Sequence, residues 1–212
     1  MKLWLLTPIK PFAEGKSRLA GALTHSARAA LSRQLFQHVM AQATAATVLS
    51  GILVVGRDPN VLQGIHNTKI EFIAEEETGL NHALRQGRWE AIQRGANAVL
   101  ILPADLPHLT TAEITALYEK GQETVGMVIA PSDDNGTNAL LLRPPAAINF
   151  AFGHNSFAHH CLAAQLAGVP YTIYDSPRLS FDVDLPTDLH RLVPSEQPVP
   201  SYTSAALPQP CR

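Results

Sequence analysis

Cysteine is nearly missing from this chain. Among 212 residues only Cys161 and Cys211 carry a thiol, which excludes a disulfide framework and leaves no CxxC redox or metal spacing. Thiol scarcity fits a reducing compartment, and a cytoplasmic location is expected. Long apolar runs are missing as well. No stretch approaches the roughly 20 residues that cross a bilayer, and the apolar run before Thr7-Pro8 is only four residues, too short for a secretory signal. Nor is there a basic excess. Lys and Arg number 16 against 18 Asp and Glu, a formal net charge of −2. That balance excludes a general binder of nucleic acid or anionic membrane, although a few cations in one pocket can still hold a small anion. GxSxG, HExxH and Walker spacings do not occur, so hydrolase, zincin and P-loop readings have no support. The nine histidines are scattered, and the adjacent His159 and His160 lie in a helical pattern where neighbours do not share a face.

What is present is an ordinary globular composition, 46% apolar and 16% charged, in a length suited to one domain. Short unalternated apolar runs read as strands buried on both faces: Leu3–Thr7, Ile52–Val55, Ile70–Ala74, Ala98–Leu102, Met127–Ala130, Ala139–Leu142 and Tyr171–Tyr174. Between them lie helical patterns: from Thr24 as N-cap to about Ala46, Leu80 to about Arg94 before Gly95, and Thr110 to Gly121 with a capping-box Glu113. A fourth runs from Asn155 to Gly168. Alternation of this kind predicts a single α/β domain, a mainly parallel sheet flanked by helices, over residues 1–193. Five prolines from Pro194 to Pro210, with Ser and Gln between, predict a disordered tail over 194–212.

Ligands of such sheets bind beyond the carboxyl ends of the strands, which directs attention to five segments. The loop TPIKPFAEGKSRL after the first strand gathers Lys10, Lys16 and Arg18 around Gly15 and Ser17, suited to a polyphosphate; the alternative is a solvated basic loop. Asp105 follows the strand Ala98–Leu102 directly, where a carboxylate can hold a hard cation or merely form a turn. In Phe181-Asp182-Val183-Asp184 the two carboxylates, two residues apart in an extended segment, point the same way. Like charges so placed call for a cation between them, unless the segment is a solvated edge. Asp105, Asp182 and Asp184 together make an oxygen-only set suited to Mg²⁺ or Mn²⁺. Asp188 sits apart from them, as the cap of a terminal helix. The turn DDNGTN is expected to leave Thr137 and Asn138 with exposed donors. FGHNSF, with Gly153 and Ser156, opens a helix whose free amides suit an anion, or it is a plain helix cap.

In order, TPIKPF…GKSRL, GLNHAL, LPADLPHL, DDNGTNALLL, FGHNSFAHH and FDVDLPTDL resemble the guanylyltransferases of coenzyme F420 biosynthesis, within the molybdenum-cofactor-guanylyltransferase-like nucleotidyltransferases. The resemblance spans about residues 1–190. It implies a Rossmann-like nucleotidyltransferase fold, GTP as donor, and a phosphorylated three-carbon acid as acceptor. Phosphoenolpyruvate comes first, with 2-phospho-L-lactate and 3-phospho-D-glycerate as alternatives. It implies Asp105, Asp182 and Asp184 as metal ligands and Thr137, Gly153 and Ser156 as acceptor contacts. Lys16, Arg18 and Lys10, with Pro8 in the same loop, would meet the triphosphate, and Gly79 and Asn81 the guanine; Lys16, Arg18 and Asp105 would be catalytic. A labile diphosphate product would pass to a downstream F420 transferase, and a homodimer is left open. The glycine-rich LAGGxSxRxG start of the wider superfamily is replaced here by TPIKPFAEGKSRL. Two other readings compete. A glycosyltransferase would share the Asp182-Val183-Asp184 motif, and a dead ligand-binding module would have no use for three clustered carboxylates.

Overall fold

A computed structural model describes residues 1–192, so the Pro-rich segment from 194 onward lies outside the described residues. Seven strands form one sheet: β1 (Leu3–Ile9), β2 (Leu49–Gly56), β3 (Ile70–Ala74), β4 (Ala98–Ile101), β5 (Gly126–Pro131), β6 (Thr137–Arg143) and β7 (Tyr171–Ile173). Their order is β3-β2-β1-β4-β6-β5-β7. All pairings are parallel except those of β6, which runs antiparallel to both β4 and β5. Because β5 and β6 are joined by the Asp133–Gly136 turn, β6 must reverse direction. Its first residues therefore arrive at the carboxyl edge of β4.

The uninterrupted apolar strands are explained by helices on both faces. Alternate residues of β1 go to opposite cores. Leu3 and Leu5 join Ile52, Leu100 and Leu141 against α1 (His25–Ala45) and α3 (Thr111–Glu123). Trp4 and Leu6 join Leu53, Ile101 and Leu140 against α2 (Leu80–Gln93) and α4 (Ser156–Leu166). Among the described residues no helix is long and apolar enough to cross a membrane. Thr24 caps α1 as expected, its hydroxyl accepting from Ala27 N–H at 3.2 Å. At α3 only half of the capping box forms. Thr110 accepts from Glu113 N–H, but the Glu113 carboxylate turns to the Tyr174 hydroxyl at 2.9 Å instead. The helix also runs past Gly121 to Glu123.

A third, smaller cluster matters more for function. Leu19, Leu31, Leu35, Phe181, Val183 and Leu189 bury one another below the main core. This cluster pins the segment after β1 and the acidic segment near the C-terminal end onto the same helix, α1. At roughly 1.5–3 kcal/mol for each fully buried side chain, Phe181 and Val183 alone outweigh any single surface ion pair.

Gly126 opens β5 with φ +149, and a Cβ there would lie 2.1 Å from the Pro170 carbonyl oxygen, the group that accepts from Met127 N–H. Backbone strain and collision with immobile backbone add together. Gly126→Ala is therefore expected to lower unfolding free energy by about 2–4 kcal/mol, read from urea denaturation. A change below about 0.5 kcal/mol would mean that β5 and β7 do not meet there.

Candidate functional site

Asp105 leaves the central strand β4 through buried Leu102, and Leu106 and Leu109, which follow it, are buried as well. Asp182 and Asp184 alternate with Phe181 and Val183, whose side chains are buried in the α1 cluster, so both carboxylates face the other way. One oxygen from each of Asp105, Asp182 and Asp184 lies within 4.8 Å of the other two. Asp188 is not part of this set. Instead of capping from the first position, it sits in the turn Pro186–Arg191 and accepts backbone N–H from Asp184 (2.9 Å) and Leu185 (2.6 Å), which fixes the path of the acidic segment.

The electrostatics of this group are strained. Burial, then the neighbouring charges of Asp105 and Asp184, push the Asp182 carboxyl up to about 6; a hydrogen bond from Asn138 and the charge of Lys16 oppose the rise. Lys16 supplies the counter-charge. Its Nζ contacts Asp105 and lies 3.2 Å from Asp184, with only 7% of the side chain exposed. Burial lowers its pKa, but the two carboxylates more than offset this, and the net shift is upward. Lys16 has left-handed backbone, φ 54, uncommon for a residue with a Cβ. Arg18, largely exposed, donates to the other oxygen of Asp184 at 3.1 Å. Three carboxylates and two cations so placed can hold a hard divalent cation and meet phosphate oxygens from both sides.

Beside this group opens a cleft of about 890 Å³ along the carboxyl edge of the sheet. Pro8, Lys10, Lys16, Arg18, Gly79, Asp105 and Asp184 line it. Asp182, Asn81, Thr137, Gly153 and Ser156 are not on its wall. Asn81 is engaged at both ends, giving Nδ2 to the Phe152 carbonyl and accepting Phe152 N–H on Oδ1, each at 2.9 Å, so it ties α2 to the loop before α4. The expectation of exposed donors at Thr137 and Asn138 is overturned. They are 7% and 5% exposed because β6 carries them straight into the sheet. Asn138 donates to the Leu179 carbonyl at 2.8 Å and to Asp182 at 3.2 Å. Ser156, 2% exposed, bonds the Thr137 hydroxyl at 3.1 Å. The start of α4 is also less open than a bare helix end. Ser156 N–H donates to Gly153 and Phe157 N–H to Asn135, while Gly153 itself is exposed with φ +136.

Sequence reasoning missed His160. It is fully buried, accepts Ala151 N–H on Nε2 at 3.0 Å, and faces the Thr137 hydroxyl through Nδ1 at 3.1 Å. Since Nε2 accepts, Nδ1 carries the hydrogen and the ring is neutral. Its position four residues after Ser156 puts both on one face of α4, a spacing that could have drawn notice.

Burial pushes His160 down to about 4, with the His159 charge a lesser cause. The unfolded chain therefore takes up this proton first as pH falls. The stability contributed by neutral His160 is complete above about pH 6.5 and is lost toward pH 4. His160→Gln lacks that loss, so the stability gap between wild type and variant is expected to shrink by about 3 kcal/mol from pH 7 to pH 4. Parallel denaturation curves at several pH values measure it, other titrating groups being common to both proteins. A gap independent of pH would mean that His160 is not held neutral.

A family model described as guanylyl transferase CofC-like matches residues 3–197. The chain is 41% identical over 193 residues to a phosphoenolpyruvate guanylyltransferase of Rubrobacter xylanophilus, covering 91% of this chain and 94% of the relative. It is 31% identical over 194 residues to a 2-phospho-L-lactate guanylyltransferase of Methanothermobacter thermautotrophicus, covering 91% and 85%. Among solved structures, a 4-diphosphocytidyl-2C-methyl-D-erythritol synthase of Anaerococcus prevotii superposes with a TM-score of 0.64 at 8% identity, over 90% of this chain and 94% of that one. At that identity the likeness speaks for the fold alone.

Proposed function

This chain belongs to the CofC-like guanylyl transferase family, and from that membership and the cleft we propose that it transfers GMP from GTP to phosphoenolpyruvate, releasing pyrophosphate. The observation that carries the reading is the convergence of Asp105, Asp182 and Asp184 with Lys16 and Arg18 at one end of a nucleotide-sized cleft. An oxygen of the acceptor phosphate bonds to the α-phosphorus of GTP while the bond to the β-phosphate oxygen breaks. The products are enolpyruvoyl-2-diphospho-5′-guanosine and pyrophosphate. The nucleophile is already an anion, so proton removal is no obstacle; mutual repulsion of the phosphates is. The enzyme's task is to neutralise and to align.

The three carboxylates fit a hard cation. They offer oxygen only, and the upward shift of Asp182 marks a place where positive charge is wanted. Mg²⁺, or Mn²⁺, held by Asp105, Asp182 and Asp184 would supply Lewis-acid neutralisation of phosphoryl oxygens. Lys16, charged at neutral pH by its carboxylate neighbours, and Arg18 meet the negative charge that grows on departing pyrophosphate. Lys10 and Pro8 line the same wall and guide the triphosphate. The acceptor is assigned to Thr137, Gly153 and Ser156. The support is that Asn138, which follows Thr137, bonds the metal-ligand candidate Asp182, and that Ser156 bonds the Thr137 hydroxyl. The anhydride product suits prompt hand-over to a downstream transferase in the cytoplasm. A lysine and an arginine in contact with the acidic group favour a triphosphate donor over the nucleotide sugar that a glycosyltransferase would use.

Incubating the protein with GTP, Mg²⁺ and each of phosphoenolpyruvate, 2-phospho-L-lactate and 3-phospho-D-glycerate is expected to release pyrophosphate fastest with phosphoenolpyruvate. Asp184→Asn is expected to lower that rate by a factor on the order of 10²–10⁴ with an unchanged melting temperature. Absence of pyrophosphate with all three acids would sink the assignment, and an Asp184→Asn rate equal to wild type would remove Asp184 from the metal set.

A further inference from the structure

The cleft does not end at the carboxylates. It runs along the sheet edge past β1 and β2 to the end of β3. From β4 to β3 is three strand spacings, roughly 14 Å, about the reach of a nucleotide from its α-phosphate to the far edge of its base. At that far end stands Glu75, the first residue after β3, with 13% of its side chain exposed. Its backbone N–H donates to the Gly56 carbonyl at 2.9 Å, which fixes the residue's place on the rim. Arg57 forms an ion pair with it, Nε lying 2.9 Å from Oε1, and bonds Glu14 of the β1 loop with its other arm, so the carboxylate's charge is offset. Among the described residues no donor bonds Oε2. Pro8, Val55, Leu80 and Ala83 make this part of the cleft apolar, a surface for a flat ring.

The second half of the arrangement is the start of α2. Its cap is Gly79, with φ +126 and no side chain to cover the helix end. The N–H groups of Leu80 and Asn81 donate to no acceptor among the described residues. A carboxylate acceptor and helix-end donors therefore stand on the same apolar pocket, which Glu75, Gly79 and Leu80 all line.

That polarity matches one purine and opposes the other. Guanine presents an acceptor, O6, beside two donors, N1–H and the N2 amino group. Adenine presents a donor, the N6 amino group, beside an acceptor, N1, and nothing at C2. We propose that Glu75 is the residue that selects guanine, its carboxylate accepting from N1–H and N2–H while the α2 amides donate to O6. Arg57 acts on the base only through Glu75 and is a positioning residue. The inference rests on the GTP-using reading above and deepens it, since neither the basic loop nor the acidic group distinguishes one base from another.

Binding of GTP, ITP and ATP to the full chain with Mg²⁺, by calorimetry, tests it. ITP keeps N1–H and lacks the N2 amino group; ATP reverses the edge. Wild type is expected to prefer GTP over ITP by about tenfold and over ATP by about 100-fold or more, as for lost hydrogen bonds to a charged group. In Glu75→Gln, GTP affinity is expected to fall about 10–100-fold, with the GTP-to-ITP ratio near one and ATP affinity within about threefold of wild type. In turnover the loss should fall on KM for GTP, leaving kcat at saturation unchanged. Glu75→Asp, which keeps the charge but withdraws it, should lie between and serves if the glutamine variant does not fold. Unaltered GTP-to-ITP and GTP-to-ATP ratios in these variants, with wild type still selecting GTP, would overturn the role of Glu75 alone. A wild type that transfers no nucleotide, or that prefers ATP, would overturn the guanylyl-transfer reading and this inference with it.

Discussion

Three carboxylates held within 4.8 Å of one another are the constraint around which this protein is arranged. Two unit charges at that separation repel by about 3.5 kcal/mol at an effective dielectric of 20, and three pairs make roughly three times that. No local turn preference offsets such a sum. Burial of Phe181 and Val183, two side chains at roughly 1.5–3 kcal/mol each, offsets part of it and dictates which way the alternating aspartates face. Positive charge must do the rest, and Lys16 is brought to it at the cost of a left-handed backbone. The satellite cluster on α1 serves this one purpose. Leu19 draws the Lys16–Arg18 segment and Phe181 draws the acidic segment onto the same helix, so cation and anion arrive together although more than 160 residues separate them in sequence.

Much of this was legible in the chain. The seven apolar runs became the seven strands because helices on both faces leave no room for alternation, and the two-residue spacing of Asp182 and Asp184 carried its direction with it. What the spacing could not convey was reversal of β6. An apolar run reads alike in either direction, and only the short Asp133–Gly136 turn to β5 forces the antiparallel pairing. That reversal explains why Thr137 and Asn138, read as exposed turn donors, are buried, Thr137 against His160 and Ser156 and Asn138 against Asp182. Hydrogen-bond commitment was equally hidden. Asn81 looks in sequence like a free amide near a ligand, yet both its ends are taken by Phe152. Glu75 sits in a run of three glutamates that looks like ordinary solvated surface. Only the fold sets Glu75 against Arg57 and leaves Glu76 and Glu77 exposed.

His160 illustrates a second kind of invisibility. Its partners, a backbone amide before the helix and a hydroxyl on β6, come from separate elements, and neither belongs to any motif. Its neutral ring donates to Thr137, and so does the Ser156 hydroxyl, which leaves the Thr137 hydroxyl hydrogen for another acceptor such as a ligand oxygen. A protonated ring would place two donors, Nε2–H and Ala151 N–H, face to face.

The charges along the cleft follow a single logic. Around the acidic group, Asp105, Asp182 and Asp184 are met by Lys16, Arg18 and, in the same loop, Lys10, so fixed negative and positive charge are nearly equal before any ligand arrives. Polyphosphate and its accompanying cation then bring further charge of both signs, and a balanced site can take both where a purely basic one would bind product as firmly as substrate. At the other end Glu75 and Glu14 share a single cation, Arg57, and there the wall is apolar and the Glu75 carboxylate has a free oxygen. With no cation between them a carboxylate beside phosphate would repel it; three strands away it can serve recognition instead. Strand order does this separation. Because β1 and β2 lie between β4 and β3, the sheet keeps Glu75 beyond reach of Asp105, Asp182 and Asp184, which is what the proposed reading of one cleft serving both ends of a nucleotide requires.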